Sequence, residues 1–117
     1  MPLTVLIVDD HPSFRALART VLQAEGFDVI GEAVDGASAL AEVRRLHPQL
    51  VLLDAQLPDT DGFAVAAELT RDGDGPAIVL TSSRDAADFG PLIAESGARG
   101  FVPKAELSAA ALAEFLP

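Results

Sequence analysis

Short continuous apolar runs alternate along the chain with longer segments in which apolar residues recur every three or four positions. Val5-Leu6-Ile7-Val8 and Leu50-Val51-Leu52-Leu53 are the clearest runs. Each is typical of a strand in a parallel sheet, because such a strand is buried on both faces and has no polar alternation. The pattern predicts five strands, at residues 5–8, 27–33, 50–53, 77–80 and 100–102.

Helical periodicity characterises the segments between these runs. Over residues 13–25 the apolar positions recur at helical spacing, and Gly26 provides a C-terminal stop. Further helices are predicted over residues 38–46, 63–71, about 85–96 and 107–115. Gly90-Pro91 inside the fourth predicts a late start or a kink. Alternating strands and helices with short connections predict one α/β domain over residues 1–117, with a mostly parallel, open, doubly wound sheet.

The charge and the cysteine content exclude several classes of protein. The chain has 117 residues, 18 acidic against 8 basic side chains, a net charge of -10 and no cysteine. Without cysteine it has no disulfides, thiolate zinc sites or cysteine nucleophiles. The acidic excess argues against direct binding of nucleic acid or of an anionic membrane by this domain. The sequence contains no targeting signal and no apolar stretch of about 20 residues, so a cytoplasmic protein is predicted.

Polar residues stand at or close to the ends of four of the five predicted strands. They are Asp9 and Asp10 after the first, Asp54 after the third, Thr81 and Ser82 after the fourth, and Lys104, the only lysine, after the fifth. In a doubly wound sheet the ligand site lies outside the carboxyl ends of the strands. We therefore expect these side chains, distant in sequence, to meet at one edge of the sheet.

Such a set of residues has the chemistry of a phosphoryl-transfer site. Three neighbouring carboxylates repel one another and attract a divalent cation, and Mg²⁺ prefers hard oxygen ligands of this kind. A cation, an ammonium group and a hydroxyl together bind a phosphoryl group, and a carboxylate among them can be the nucleophile. Asp54 suits that role because it stands alone at the end of a central strand, whereas Asp9 and Asp10 form a pair suited to holding metal.

The same residues and their neighbours resemble a known family over the whole chain. The motifs are Val8-Asp9-Asp10-His11-Pro12, Asp54 with Leu57-Pro58 and Asp61-Gly62, Thr81-Ser82, Gly97-Ala98-Arg99-Gly100-Phe101, and Lys104. In combination they are similar to the receiver domain of bacterial two-component response regulators. Residues 9–15 and 31–36 resemble the NarL-type subfamily most. Members of that subfamily usually carry a C-terminal helix-turn-helix DNA-binding domain.

The resemblance implies a fold and a role for each matching residue. The implied fold is flavodoxin-like, with strand order 2-1-3-4-5. The implied ligands of Mg²⁺ are Asp9, Asp10, Asp54 and the backbone carbonyl of Gln56, with Asp9 acting mainly through metal-bound water. Asp54 would accept a phosphoryl group from a sensor histidine kinase. Lys104 would pair with Asp54 at rest and with the phosphate afterwards.

The resemblance also implies a switch and a surface that partners read. A hydroxyl at the end of the fourth strand would bond a phosphate oxygen, and Phe101 would be the aromatic residue that changes rotamer with it. Partners would read the surface formed by helix 4, strand 5 and helix 5. That surface, or helix 1, would also serve for homodimerisation. Catalysis would be limited to weak autophosphorylation and autodephosphorylation, so the domain is not expected to be an enzyme in its own right.

Two departures from the family pattern bear on the site. Counting back from Lys104 by the family's usual separation assigns the switch hydroxyl to Ser82. Counting forward from Pro76 assigns it to Thr81, and Ser82 is the first choice of the two. The family also often has a proline after the lysine, joined by a cis bond that directs the lysine into the site. Here Ala105 follows Lys104, so either a strained cis bond or a different loop is expected.

Two other functions are compatible with parts of the sequence. A phosphorylation-independent docking module would use the fold alone, although the retention of every chemical residue argues against it. An aspartate-nucleophile phosphohydrolase needs a general acid two residues after the nucleophile, where this chain has Gln56.

Residues 59–62 mimic part of a calcium-binding loop but are interpreted as a turn and helix cap. His11 is interpreted as a helix-start residue rather than a metal ligand.

Overall fold

A five-stranded parallel sheet lies at the centre of the molecule. The computed structural model describes residues 2–116. Its strands are β1 (Thr4–Val8), β2 (Asp28–Ala33), β3 (Leu50–Asp54), β4 (Ala77–Ser82) and β5 (Gly100–Pro103). Their order is β2-β1-β3-β4-β5, and every neighbouring pair is parallel. The predicted doubly wound α/β fold with strand order 2-1-3-4-5 is therefore confirmed.

Helices follow the strands: α1 (Pro12–Ala24), α2 (Gly36–Leu46), α3 (Gly62–Thr70), α4 (Leu92–Glu95) and α5 (Ala109–Ala113). The first three begin and end within two residues of the predicted bounds. Helix α5 is shorter than the predicted residues 107–115. Its start is set by a 3₁₀ turn at Lys104–Glu106 and by Ser108, whose Oγ accepts a hydrogen bond from Ala111 N–H at 3.0 Å. Within residues 2–116 no helix is long and apolar enough to cross a membrane.

The connection between β4 and β5 is broken in the middle, as Gly90-Pro91 indicated. A 3₁₀ turn, Ala86–Phe89, is followed by Gly90 at φ +55°, and only then by the single turn of α4. Glycine adopts this left-handed φ without a steric penalty, and Pro91 has no N–H with which to continue the preceding turn. The predicted interruption is confirmed, and it leaves the fourth helix much shorter than the expected residues 85–96.

Both faces of the sheet are buried. One layer contains Val5, Ile7, Leu50, Leu52 and Val79, packed with Ala18, Leu22 and Leu112 from α1 and α5. The other contains Leu6, Val8, Val51, Leu53, Ile78 and Leu80, packed with Ala39, Val65 and Ala66 from α2 and α3. Alternate residues of a strand enter opposite layers, which explains why the strands are continuous apolar runs. This packing fixes the strand ends, and with them the polar residues that follow.

Two carboxylates in the connection between β3 and α3 hold helix ends. Asp61 caps α3, because its Oδ1 accepts a hydrogen bond from Ala64 N–H at 2.7 Å. Asp59 reaches across to α2, where its two oxygens accept from Gly36 N–H at 2.8 Å and from Ala37 N–H at 3.0 Å. The interpretation of this stretch as a turn and helix cap is confirmed. Side-chain oxygens satisfy the first N–H groups of a helix in this way.

Candidate functional site

The carboxyl ends of the strands bring Asp9, Asp54 and Lys104 into contact. Lys104 Nζ lies 2.6 Å from Asp9 Oδ2 and donates a hydrogen bond to Asp54 Oδ2 at 3.3 Å. Asp9 directly follows β1, Asp54 ends β3, and Lys104 directly follows β5. These three residues, distant in sequence, meet at one edge of the sheet as expected.

Lys104 reaches both carboxylates through a loop that differs from the family's usual form. No peptide bond within residues 2–116 is cis, and Lys104 begins the 3₁₀ turn Lys104–Glu106. Its Nζ also lies 4.6 Å from the centroid of the Phe14 ring, within the range of a cation–π interaction. The helical pattern places Phe14 on the apolar face of α1, and only the structure shows that it also borders the site.

Asp9 is fully buried and is held from several sides. Its Oδ1 accepts a hydrogen bond from His11 N–H at 2.8 Å and lies 2.9 Å from His11 Nδ1. Its Oδ2 is ion-paired with Lys104 but makes no hydrogen bond of good angle within the described part of the chain. The Asp9 N–H donates to Ala33 O at 3.0 Å. A buried carboxylate oxygen with unused acceptor capacity fits a cation or a metal-bound water.

Four side chains at this edge form an acidic cluster. Asp9, Asp10, His11 and Asp54 each place one potential ligand atom within 4.8 Å of the others. His11 lies at the start of α1, as predicted, where it is the N-cap residue, and its side chain is 63% exposed with Nδ1 3.2 Å from Asp10 Oδ1. Three carboxylates at this spacing fit a hard divalent cation such as Mg²⁺, for which an imidazole nitrogen is a poorer ligand.

The ionisation of Asp54 is governed by burial and by its neighbours. Its Oδ1 accepts a hydrogen bond from Gln56 N–H at 3.1 Å, and its Oδ2 accepts from Lys104. Burial raises the pKa of Asp54, and the negative charge of Asp9 raises it as well, against the opposing effects of Gln56 N–H and of Lys104. Asp9 and Asp54 together carry more negative charge than Lys104 neutralises, so a further cation would relieve their repulsion.

The chain turns back on itself directly after Asp54. Gln56 pairs with Asp61 in an isolated antiparallel bridge. The flanking residues make the two hydrogen bonds of this bridge, at 2.8 and 3.1 Å, so the Gln56 carbonyl is not used in them. Gly62 begins α3 so close to β3 that a Cβ at this position would collide with the Asp54 carbonyl oxygen. The close approach requires glycine and fixes the path of the loop that carries Gln56.

Thr81 and Ser82 end β4 in different surroundings. Thr81 is the register partner of Asp54, and its buried Oγ1 has no hydrogen-bond partner among residues 2–116. Ser82 is the register partner of Pro103, and its Oγ accepts a hydrogen bond from Arg84 N–H at 3.0 Å. The hydroxyl on the register partner of Asp54 is therefore that of Thr81, the second choice from the sequence, whereas the Ser82 oxygen accepts a hydrogen bond in the turn after β4.

Three phenylalanine rings form a continuous row from α3 to β5. The ring centroids of Phe63 and Phe89 lie 5.2 Å apart, and those of Phe89 and Phe101 lie 5.7 Å apart, both pairs tilted. Such separations and tilts are favourable for aromatic pairs. Phe89 lies in the 3₁₀ turn after β4 and joins Phe101 to α3. The sequence identified Phe101 but not Phe89, because the broken segment around Phe89 has no helical periodicity.

An ionic cluster adjoins the site on the side of β2. Glu32 accepts hydrogen bonds from Arg15 Nε at 2.9 Å and from Arg19 Nε at 2.8 Å. Partial burial acts to raise the pKa of Glu32, but the hydrogen bonds and charges of Arg19 and Arg15 outweigh it and lower that pKa. Arg15 also donates from Nη1 to the Asp9 main-chain oxygen at 2.7 Å. This cluster was not predicted from the sequence, although the spacing of four residues between the arginines places both on one face of α1.

The chain is similar to known proteins in sequence. The family model for the response regulator receiver domain matches residues 5–115. The DNA-binding response regulator MtrA of Mycolicibacterium smegmatis is 45% identical over 102 residues, which make up 86% of this chain and 43% of MtrA. The chain spans about half the length of the curated relatives that it matches.

Solved structures resemble the whole of the described fold. The signal receiver domain of NarL from Mycobacterium tuberculosis has a TM-score of 0.83 and 33% identity, and the match covers 97% of this chain and 96% of that chain. The BeF3-activated N-terminal receiver domain of Klebsiella pneumoniae RstA has a TM-score of 0.82 and 32% identity, with 95% and 93% covered.

Proposed function

Because the chain belongs to the response regulator receiver domain family, we propose that it is a phosphorylation switch in which Asp54 accepts a phosphoryl group in a Mg²⁺-dependent reaction. Receiver domains bind Mg²⁺ at a cluster of aspartates and are generally signalling modules rather than enzymes. The observation that carries the proposal is the contact of Lys104 with both Asp9 and Asp54 at the carboxyl edge of the sheet. The physiological donor would be the phosphohistidine of a sensor histidine kinase.

The acidic cluster supplies the proposed ligands of Mg²⁺. Asp10 and Asp54 would contribute carboxylate oxygens, Gln56 would contribute its main-chain oxygen, and Asp9 would act through metal-bound water. When bound, Mg²⁺ neutralises negative charge on these carboxylates and on the phosphoryl oxygens. Two features support this assignment: one lysine is shared by two buried carboxylates, and the Asp9 Oδ2 makes no hydrogen bond of good angle within the described part of the chain.

Asp54 is the proposed nucleophile. One of its carboxylate oxygens forms the new O–P bond while the P–N bond to the donor imidazole breaks, and the bonding electron pair stays on the imidazole nitrogen. Lys104 already contacts an Asp54 oxygen, so a small movement of its flexible side chain brings the ammonium group to a phosphoryl oxygen. A compact ammonium charge suits this exchange of partners better than a planar guanidinium, whose donors are fixed in direction.

The Thr81 hydroxyl is the proposed donor to a second phosphoryl oxygen. It belongs to the register partner of Asp54 and has no partner within residues 2–116, whereas Ser82 is paired in register with Pro103 and its Oγ accepts from Arg84 N–H. Phe101 packs against Phe89, so a rotation of Phe101 would change its contact with the turn before α4. The surface formed by α4, β5 and α5 would then differ between the two states. A second copy of the chain or another protein would bind this surface in only one of them.

An output domain outside these residues is the proposed target of the switch. The relative MtrA is a DNA-binding response regulator of more than twice the matched length. The present chain has a net charge of -10, and a phosphate backbone would be repelled by such a domain. Contact with DNA would therefore be made by the output domain rather than by the residues described here.

Incubation with acetyl phosphate tests the proposal. Wild type, Asp54→Asn and Asp72→Asn are treated with and without Mg²⁺, and the intact mass of each protein is measured. We expect one added phosphoryl group on wild type and on Asp72→Asn in the presence of Mg²⁺, and none on Asp54→Asn. Asp72 is the matched control because it is an exposed acid in the turn after α3.

Two outcomes would overturn the proposal. The first is equal modification of Asp54→Asn and wild type, which would place the phosphoryl group elsewhere. The second is a wild type that neither gains a phosphoryl group nor binds beryllofluoride, an analogue of the phosphoryl group, in the presence of Mg²⁺. A partner-binding activity that is unchanged in Asp54→Asn would instead favour the phosphorylation-independent docking module.

A further inference from the structure

The guanidinium group of Arg15 connects the acidic cluster to β2. Arg15 lies on α1 and donates from Nη1 to the main-chain oxygen of Asp9 at 2.7 Å and from Nε to Glu32 Oε1 at 2.9 Å. Its side chain is only 16% exposed, and that of Glu32 is 30% exposed. One planar group is thus bonded at the same time to β2 and to the residue that follows β1.

We propose that Arg15 is a positioning residue, which fixes the plane of the peptide between Asp9 and Asp10 and so presents both carboxylates to a cation. Glu32 is the second part of this arrangement, because it holds the guanidinium in the orientation that reaches Asp9. The inference rests on the proposed function only in naming Mg²⁺ as the cation. The positioning itself is a property of the protein without metal.

The Asp9 carbonyl depends on Arg15 for its hydrogen bond. Asp9 is fully buried, and α1 begins only at Pro12, which has no N–H to offer. Within residues 2–116, Arg15 is the only group that donates to this oxygen. A buried carbonyl without a donor is unfavourable, so this peptide would turn towards water if Arg15 were removed. The turn would change ψ of Asp9 and φ of Asp10, the backbone angles on either side of this peptide, and so loosen the placement of both carboxylates.

Arg19 offers a matched comparison within the same cluster. It donates to the other oxygen of Glu32 at 2.8 Å and to Val29 O at 3.4 Å, but it makes no hydrogen bond to the acidic cluster. Each arginine is a positive charge near the site and opposes the binding of a cation. By charge alone, the removal of either arginine would strengthen Mg²⁺ binding. A loss of affinity on removal of Arg15 is therefore the signature of lost positioning.

Three variants test the inference with two measurements. Mg²⁺ affinity is measured by titration calorimetry, and hydrogen exchange of the His11 amide is measured without Mg²⁺, because that N–H donates to Asp9 Oδ1.

We expect Arg15→Gln to weaken Mg²⁺ binding about 10- to 100-fold, the usual range when the outer partner of a metal ligand is lost, and to speed the exchange of the His11 amide. Arg19→Gln should leave the exchange unchanged and alter the affinity by no more than about twofold, because a partly exposed charge is screened. Arg15→Lys keeps the charge but replaces the rigid planar group, which bonds Asp9 and Glu32 from separate nitrogens, with a single flexible ammonium nitrogen, so its loss of affinity should be intermediate.

The outcomes separate the inference from the proposed function. Wild-type affinity and wild-type His11 exchange in Arg15→Gln would overturn the positioning role. Equal losses in Arg15→Gln and Arg19→Gln would also overturn it, because the cluster would then act only by packing α1 against β2. Should Arg15→Gln fail to fold, the comparison of Arg15→Lys with Arg19→Gln decides the question in the same way. A wild type that does not bind Mg²⁺ would count against the proposed function, and the His11 exchange would still decide the role of Arg15.

Discussion

Asp54 and Thr81 are register partners on neighbouring parallel strands, so their side chains leave the same face of the sheet. Asp54 accepts hydrogen bonds from Gln56 N–H and from Lys104, whereas the buried Thr81 hydroxyl has no partner within the described residues. A buried hydroxyl without a partner is unfavourable by about 1–3 kcal/mol. An acceptor arriving next to Asp54 would remove that penalty, and a phosphoryl oxygen is such an acceptor.

We predict that Thr81→Ala weakens the binding of beryllofluoride in the presence of Mg²⁺ by about 10- to 100-fold. The reason is that a hydrogen bond to a charged acceptor contributes about 1.5–3 kcal/mol. Thr81→Ser keeps the hydroxyl and should restore most of the affinity. Ser82→Ala is the matched control, because Ser82 also ends β4 but is paired in register with Pro103 rather than with Asp54. The affinity of each protein for beryllofluoride is measured by a titration followed by NMR. Normal binding by Thr81→Ala together with weak binding by Ser82→Ala would assign the role to Ser82 instead.

The sequence predicted which residues lie at the edge of the sheet, but its two counts disagreed on the hydroxyl, and Ser82 was only the first choice. Continuous apolar runs that end in Asp9 and Asp54 were sufficient for the first task, because such runs must be buried strands and their ends fix the next polar residue. Counting residues back from Lys104 or forward from Pro76 gave different hydroxyls, because the irregular turn with Gly90 lies between β4 and Lys104. The pairing of β4 with β3, which is not visible in the sequence, makes Thr81 the register partner of Asp54.

Contacts between elements were the other part that the sequence did not show. Helical periodicity predicted that Phe14 lies on the apolar face of α1, but not that its ring meets Lys104. It gave no indication that Arg15 reaches the Asp9 main chain. A periodic pattern identifies the side of a helix that is buried, whereas the partner of each side chain depends on how the helix is placed over the sheet.

We predict that Phe89→Ala lowers the free energy of unfolding by about 1–3 kcal/mol. This is less than the loss expected for the same substitution at a fully buried phenylalanine, because Phe89 is only half-buried. The substitution removes the ring contacts with Phe63 and Phe101. Urea unfolding measures the change. Leu92→Ala is the control, because Leu92 lies in the same connection, is 46% exposed and should alter the stability by no more than about 0.5 kcal/mol. Equal urea midpoints for Phe89→Ala and wild type would contradict a packed aromatic row.

We predict that Gly62→Ala destabilises the protein by about 1–3 kcal/mol, because the added Cβ overpacks the junction of β3 and α3. It would collide with the Asp54 carbonyl oxygen and lie 2.8 Å from Ala55 Cα. The loop after Asp54 must shift to relieve the collision, so phosphorylation by acetyl phosphate should slow as well. Ala67→Ser, an exposed substitution on the same helix, is the control for both measurements. A Gly62→Ala protein with wild-type stability and wild-type phosphorylation would show that the approach of α3 to β3 is not so close.

Glu32 should make the stability depend on pH in a defined direction. Its pKa lies below the ordinary 4.5, because the hydrogen bonds and charges of Arg19 and Arg15 outweigh the opposing effect of partial burial. A carboxyl group whose pKa is lowered by folding stabilises the fold at pH values above its ordinary pKa. This contribution is lost as the pH falls through the folded-state pKa. We predict that Glu32→Gln lowers the free energy of unfolding by about 0.5–1 kcal/mol at neutral pH, a modest change because solvent screens the partly exposed cluster. The difference from wild type should shrink steadily as the pH falls below 4.5.

Urea unfolding of both proteins between neutral pH and acid pH measures this difference. Glu42→Gln is the matched control, because Glu42 also pairs with an arginine, Arg45, but that partner lies three residues away on the same helix. The Glu42 pair is local and joins no two elements, so its removal should change the stability less than the removal of Glu32. A stability difference between Glu32→Gln and wild type that is the same at every pH would contradict the assignment. The loss would then come from packing between α1 and β2 rather than from the charge that holds Arg15 against Asp9.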